Sequence, residues 1–161
     1  MKIFIAGAKS ISSLDSYVVQ KLRSICDHQY DILIGDCQGV DTLVQQFFHE
    51  AGYSKVTIYA SNGKARNNVG NWPVKNVPVA DSVRGFAFYR QKDLAMAQDA
   101  DCGFMIWDGK SKGTHANIKT LAGLGKKVIV HFPSTDRAYM VLSEHDIPRQ
   151  QETLAQLSML S

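Results

Sequence analysis

The stretch Cys102–Asn117, CGFMIWDGKSKGTHAN, changes character in its middle. Cys102 to Trp107 is an unbroken apolar run that reads as a buried strand. Asp108 ends it, and a small polar turn punctuated by Gly109 and Gly113 follows. Thr114 to Leu124 then reads as a helix, with Gly125 as its stop. Two physical accounts of the turn compete. Glycines and hydroxyls at a helix N-terminus suit a bound phosphate. The same residue types also suit a chain that only has to turn.

Working outward, the same alternation repeats. Lys2 to Ala6 is a first strand that ends at Gly7. Leu14, Tyr17, Val18, Leu22 and Ile25 then share one helical face. Asp31 to Ile34 is a second strand, followed by a helix carrying Val40, Leu43, Val44, Phe47 and Phe48 on one stripe and closed by Gly52. Lys55 to Tyr59 is a third strand. Residues 61–85 show no clear period and read as an irregular insertion, and a helix is expected from about Tyr89 to Gln98. Val128 to Phe132 is the strand after the Thr114 helix. Beyond residue 133 the pattern weakens, with Tyr139 to Leu142 as a further strand and Pro148 opening a last helix. Strands alternating with helices predict an α/β fold: a Rossmann-like three-layer sandwich around a mostly parallel sheet, in a single domain over 1–161.

The composition agrees. The chain has 161 residues, 45% hydrophobic and 20% charged, enough for one domain with a real core. A net charge of +3 permits anionic ligands without announcing a nucleic-acid binder. Cys26, Cys37 and Cys102 are odd in number and far apart, which suits reduced thiols in a cytoplasmic protein. The apolar run at the N-terminus is too short for a signal peptide or a membrane span. The spacing of His115, His131 and His145 suggests no metal, and no cofactor is expected.

In an open parallel sheet, ligands bind beyond the carboxyl ends of the strands where the strand order reverses. Three turns should share that edge. The first carries Gly7, Lys9 and Ser10, the second Gly35, Asp36, Gly39 and Asp41, the third Asp108, Gly109, Ser111, Gly113 and Thr114. Helix N-termini there present unpaired N–H groups and partial positive charge. Together the turns point to a nucleotide-like ligand.

The segments FIAGAKSI, ILIGDCQGVDTL and YRQKDLAMAQDADCGFMIWDGKSKGTHANI, in this order, resemble the SLOG superfamily over most of Met1 to Phe132. The likeness is to a branch of small bacterial proteins with GG-A-x-G-x-D and WDGKSxGT motifs. The superfamily is Rossmann-like. It includes the Lonely Guy phosphoribohydrolases, the DNA-processing protein A family and sensor domains for NAD-derived signals. The resemblance implies a nucleotide or NAD-related ligand, and self-association as a homodimer. It does not decide whether the ligand is cleaved.

The departures from the family bear on that question. The phosphoribohydrolases carry a PGGxGTxxE motif whose Glu acts at the ribose, and Asn117 stands at the matching position here. An amide cannot serve as a general base. Lys92 stands where those enzymes carry an arginine four positions before a methionine, here Met96. Lys92 is then an anion contact or solvated surface. Asp36 sits where the branch reads Gly, to repel a phosphate or bind a ribose hydroxyl. Asp108 and Asp93 are the carboxylates left for catalysis, although Asp108 could equally cap its own turn and Asp41 could simply favour the α-helix dipole. Trp107 is expected in the core, while Trp72 either stacks on a base or ties its loop down. The resulting order is a binder or sensor first, an N-glycosidic hydrolase second and a DNA-binding module third, with nucleic acid not expected as the main partner.

Overall fold

The computed structural model of the chain describes residues 1–147. The helix expected after Pro148 lies outside them. Seven strands form one sheet in the order β4-β3-β2-β1-β5-β6-β7. The strands are β1 Lys2–Gly7, β2 Asp31–Ile34, β3 Val56–Ser61, β4 Val74–Val77, β5 Cys102–Ile106, β6 Lys127–Phe132 and β7 Arg137–Val141. The helices are α1 Ser16–His28, α2 Val40–Glu50, α3 Gly85–Asp99 and α4 Lys112–Gly123. Every neighbouring pair is parallel except β6 with β7. The mostly parallel three-layer sandwich is therefore as the alternation predicts.

Side-chain alternation along the strands explains the layers. Ile3 and Ile5 of β1 join a core with Val18, Leu22, Val44 and Phe48, under α1 and α2. Phe4 points the other way, into a core with Met96, Ala97, Ile118 and Leu121, under α3 and α4. β1 therefore has an apolar core on each of its faces, so its apolar run needs no polar face. Strand order reverses between β1 and β5, whose partners on their far sides are β2 and β6.

Several boundaries differ from the sequence expectation. Residues 61–85 are not wholly irregular, because β4 pairs in parallel with β3 from Ile58↔Val74 to Ser61↔Val77. Its four residues, VKNV, are mostly exposed and carry no hydrophobic alternation to reveal them. Helix α3 begins at Gly85 rather than Tyr89, and α4 at Lys112 rather than Thr114. The α4 cap is Ser111, whose Oγ accepts the Thr114 N–H at 3.4 Å. Of the two roles expected for Trp72, the structure shows the structural one. It is buried at 7% exposure and donates its indole N–H to the Tyr53 carbonyl at 2.9 Å, so it ties the loop to the domain. Trp107 is fully buried, as expected. No helix among the described residues is long and apolar enough to cross a membrane.

Candidate functional site

The reversal between β1 and β5 opens a cavity of about 430 Å³. The three turns meet there. Gly7, Lys9 and Ser10 line it from the β1–α1 turn, and Gly35, Cys37 and Asp41 from the β2–α2 turn. Asp108, Ser111 and Gly113 line it from the β5–α4 turn, with Thr114 and Asn117 from the first turns of α4. Asp93 lines it from α3. Asp36, Gly39, Lys92 and Gly109 are not on its wall.

Lys92 is neither a solvated lysine nor a free anion contact. It is 2% exposed, and its Nζ lies 2.9 Å from Asp36 Oδ1. Asp36 in turn is 4% exposed and also binds Arg66, through the backbone N–H at 2.8 Å and Nη2 at 2.9 Å. Burial alone would raise the Asp36 pKa, but Arg66 and Lys92 outweigh it and hold it at about 2. Asp36 therefore anchors Arg66 and Lys92 rather than repelling a phosphate inside the cavity.

Asp108 closes its own turn. Its Oδ1 accepts the N–H groups of Lys110 and Ser111, each at 2.8 Å, and its Oδ2 accepts the Ser10 hydroxyl at 2.8 Å. Burial pushes its pKa up, but these donors overcome that and leave it below the ordinary value. An ionised, fully engaged carboxylate is poorly suited to deliver a proton.

Two other carboxylates on the wall behave oppositely. Burial raises Asp41 to about 7, against the pull of the Lys92 ammonium, while the Cys37 N–H donates to its Oδ2 at 3.1 Å. Burial also raises Asp93, against Lys92 and Arg90. Arg90 is the site residue that sequence reading missed. Its Nη1 bonds Asn117 Oδ1 and lies 3.4 Å from Asp93 Oδ2, and its Nη2 donates to Thr120 Oγ1 at 2.9 Å. Its i, i+3 spacing to Asp93, inside the helix expected from about Tyr89, is a usable signal. Phe86 and Tyr89 are missed as well, Phe86 because it precedes the expected start of the helix. They line the cavity while 56% and 47% exposed, and Arg66 lies over the Tyr89 ring at 5.1 Å.

One grouping stands apart from the cavity. Asp15, His131 and Asp136 bring ligand-capable atoms within 4.8 Å of one another, a grouping that the spacing of the histidines does not announce. Asp15 is already engaged, capping α1 through Val18 N–H at 3.0 Å and meeting His131 Nε2 at 2.6 Å.

No protein-family model matches the chain, and comparison with curated proteins gives no match. Among solved structures, the chain is similar to DNA processing protein A from Helicobacter pylori, described for its single-stranded DNA binding mode. The TM-score is 0.60 at 15% identity, over 81% of this chain and 64% of that one. The chain thus spans under two thirds of that protein's length, and the likeness is one of fold. It corrects the expectation that sets nucleic acid aside, because this Rossmann-like fold is shared with a protein that binds single-stranded DNA.

Proposed function

We propose that the chain is a SLOG-type nucleotide binder that holds a nucleotide unit in the cavity between β1 and β5. The observation that carries this reading is the convergence of three strand-to-helix turns on one cavity at the strand-order reversal. The phosphate is assigned to the α4 N-terminus, where Gly113 leaves the backbone open and Lys9 and Lys112 add charge. The base is assigned to the exposed aromatic pair Phe86 and Tyr89, since aromatic faces accept any base. NAD-related molecules and a homodimeric sensor are parts of this reading that rest on the resemblance, and a cytoplasmic place rests on the reduced cysteines.

Calorimetry tests it with nucleosides, nucleoside 5′-monophosphates and NAD. The monophosphates are expected to bind at least about tenfold more tightly than the nucleosides, a gap of about 1.4 kcal/mol. Equal affinities, or no binding to any of them, would sink the phosphate assignment.

A second reading, cleavage of the N-glycosidic bond, is favoured by Asp93. Its raised pKa and place on the wall beside Arg90 suit a general acid better than Asp108 does. If free base is released, Asp93→Asn is expected to slow release by roughly 100- to 10,000-fold. Unaltered release in that variant would remove Asp93 from the chemistry.

A further inference from the structure

Lys9 lies on the wall of two cavities. Besides the one already described, it lines a second of about 400 Å³ with Asp36, Gln38, Thr42, Arg66 and Asn67. The second cavity is of nucleotide size and mostly polar in its side chains. Its charges favour an anion. Asp36 is matched by both Lys92 and Arg66, and no ion pair among the described residues engages Lys9. The Arg66 side chain remains 45% exposed although its Nη2 holds Asp36.

The polar groups around these cations are fixed. The Thr42 hydroxyl donates to the Cys37 carbonyl at 3.0 Å and accepts the Asn67 amide N–H at 2.8 Å. Asn67 thereby has its amide orientation set, with its carbonyl oxygen left for a ligand. Gln38 is exposed at the rim. Arg66 connects the two spaces, since it holds Asp36 beside the second cavity and covers Tyr89 at the mouth of the first.

We propose that the ligand continues from the first cavity past Lys9 into the second, as a phosphodiester-linked pair of nucleotides or the end of a longer single strand. Lys9 and Arg66 hold the linking phosphate, and Gln38 and Asn67 meet the second sugar and base. A cation shared by two nucleotide-sized spaces is what a bridging phosphate requires. A lone mononucleotide would leave the second cavity empty and the exposed part of Arg66 with no anion beyond Asp36. This inference rests on the nucleotide reading of the first cavity.

Calorimetry on the full chain separates the two ideas. The probes are deoxyadenosine 5′-monophosphate, the 5′-phosphorylated deoxyadenosine dinucleotide, a single-stranded deoxyadenosine decamer and the pyrophosphate-linked diadenosine. The dinucleotide is expected to bind at least about tenfold more tightly than the monophosphate, with the decamer at least as tight. Gln38→Trp fills the second cavity from an exposed position. It is expected to erase the dinucleotide's advantage and leave monophosphate affinity unchanged. Lys9→Met is expected to weaken both and to lower the salt dependence. Equal affinity for monophosphate and dinucleotide in the wild type overturns the extension while the nucleotide reading stands. An advantage that survives Gln38→Trp overturns the placement, and tighter binding of the pyrophosphate-linked probe overturns the linkage. No binding of any probe defeats both ideas.

Discussion

The β2–α2 turn and the β5–α4 turn look alike as sequence, each a glycine-punctuated step from a buried strand into a helix, yet they are built for different ends. The first is crowded. A methyl on Gly39, which has φ +80°, would lie 2.5 Å from the Lys9 Cα, and one on Gly35 would lie 2.9 Å from both Asp41 Oδ2 and Lys92 Nζ. These glycines serve packing between turns and around a buried ion pair. The second is open. A methyl on Gly113 would meet nothing within 4 Å. A glycine with free space in front of it leaves room for a ligand to approach the backbone. The difference teaches that glycine spacing alone does not separate a packed turn from a binding turn; the volume facing the Cα does.

The sharpest way to break this contrast is to remove Asp36. It is the shared partner of Lys92 and Arg66, at 2.9 Å from each. Asp36→Ala leaves the Lys92 ammonium buried without that partner, and such losses cost about 3–5 kcal/mol. Urea denaturation at neutral pH should show a loss of that size. A loss under about 1 kcal/mol would mean that the turn does not depend on its buried charges.

A smaller effect, read through pH, sharpens the same turn. Asp36 and Asp41 shift in opposite directions, to about 2 and about 7. The lowered Asp36 contributes stability that is present above pH 4 and lost as pH falls through 2. For the raised Asp41, the folded state keeps its proton where the unfolded chain has lost it. Its contribution therefore falls as pH rises from about 4 to about 7 and is level above that. Subtracting the stability curve of Asp41→Asn from that of the wild type should leave a difference that declines across this window. A flat difference would show that Asp41 titrates normally.

These turns also mark what the sequence could tell. The strand–turn–helix alternation is legible because β1, β2 and β5 are apolar past their first residues and a glycine comes at or just after each strand's end. The shared edge followed from parallel topology. Lys92 and Asp36 could not be paired by reading, because they lie 56 positions apart and meet only once α3 packs over β2. Arg90 and Tyr89 lie inside the expected helix but carry no mark of facing a cavity, and Phe86 is lost with the first turn of α3. That turn has no side-chain cap, and the helix carries apolar residues around much of its girth, so no stripe marks its start. Strand β4 is an exposed edge of four residues without alternation, which leaves periodicity nothing to detect.

The smallest expected change in stability is the one that tests the open turn most directly. Gly113 lies in the first turn of α4 with a conformation that any residue can adopt and with space for a side chain. Replacing a helical glycine by alanine removes unfolded-state freedom, so Gly113→Ala should stabilise the domain by roughly 0.5 kcal/mol. If the space is a phosphate site, the added methyl occupies the approach to the α4 N–H groups. Nucleotide affinity should then fall several-fold in the variant that is slightly more stable. The two signs together matter, because a variant that weakened both folding and binding would point to damaged structure. Unchanged nucleotide affinity in a stabilised Gly113→Ala would place the phosphate elsewhere on the wall and make the two turns alike after all.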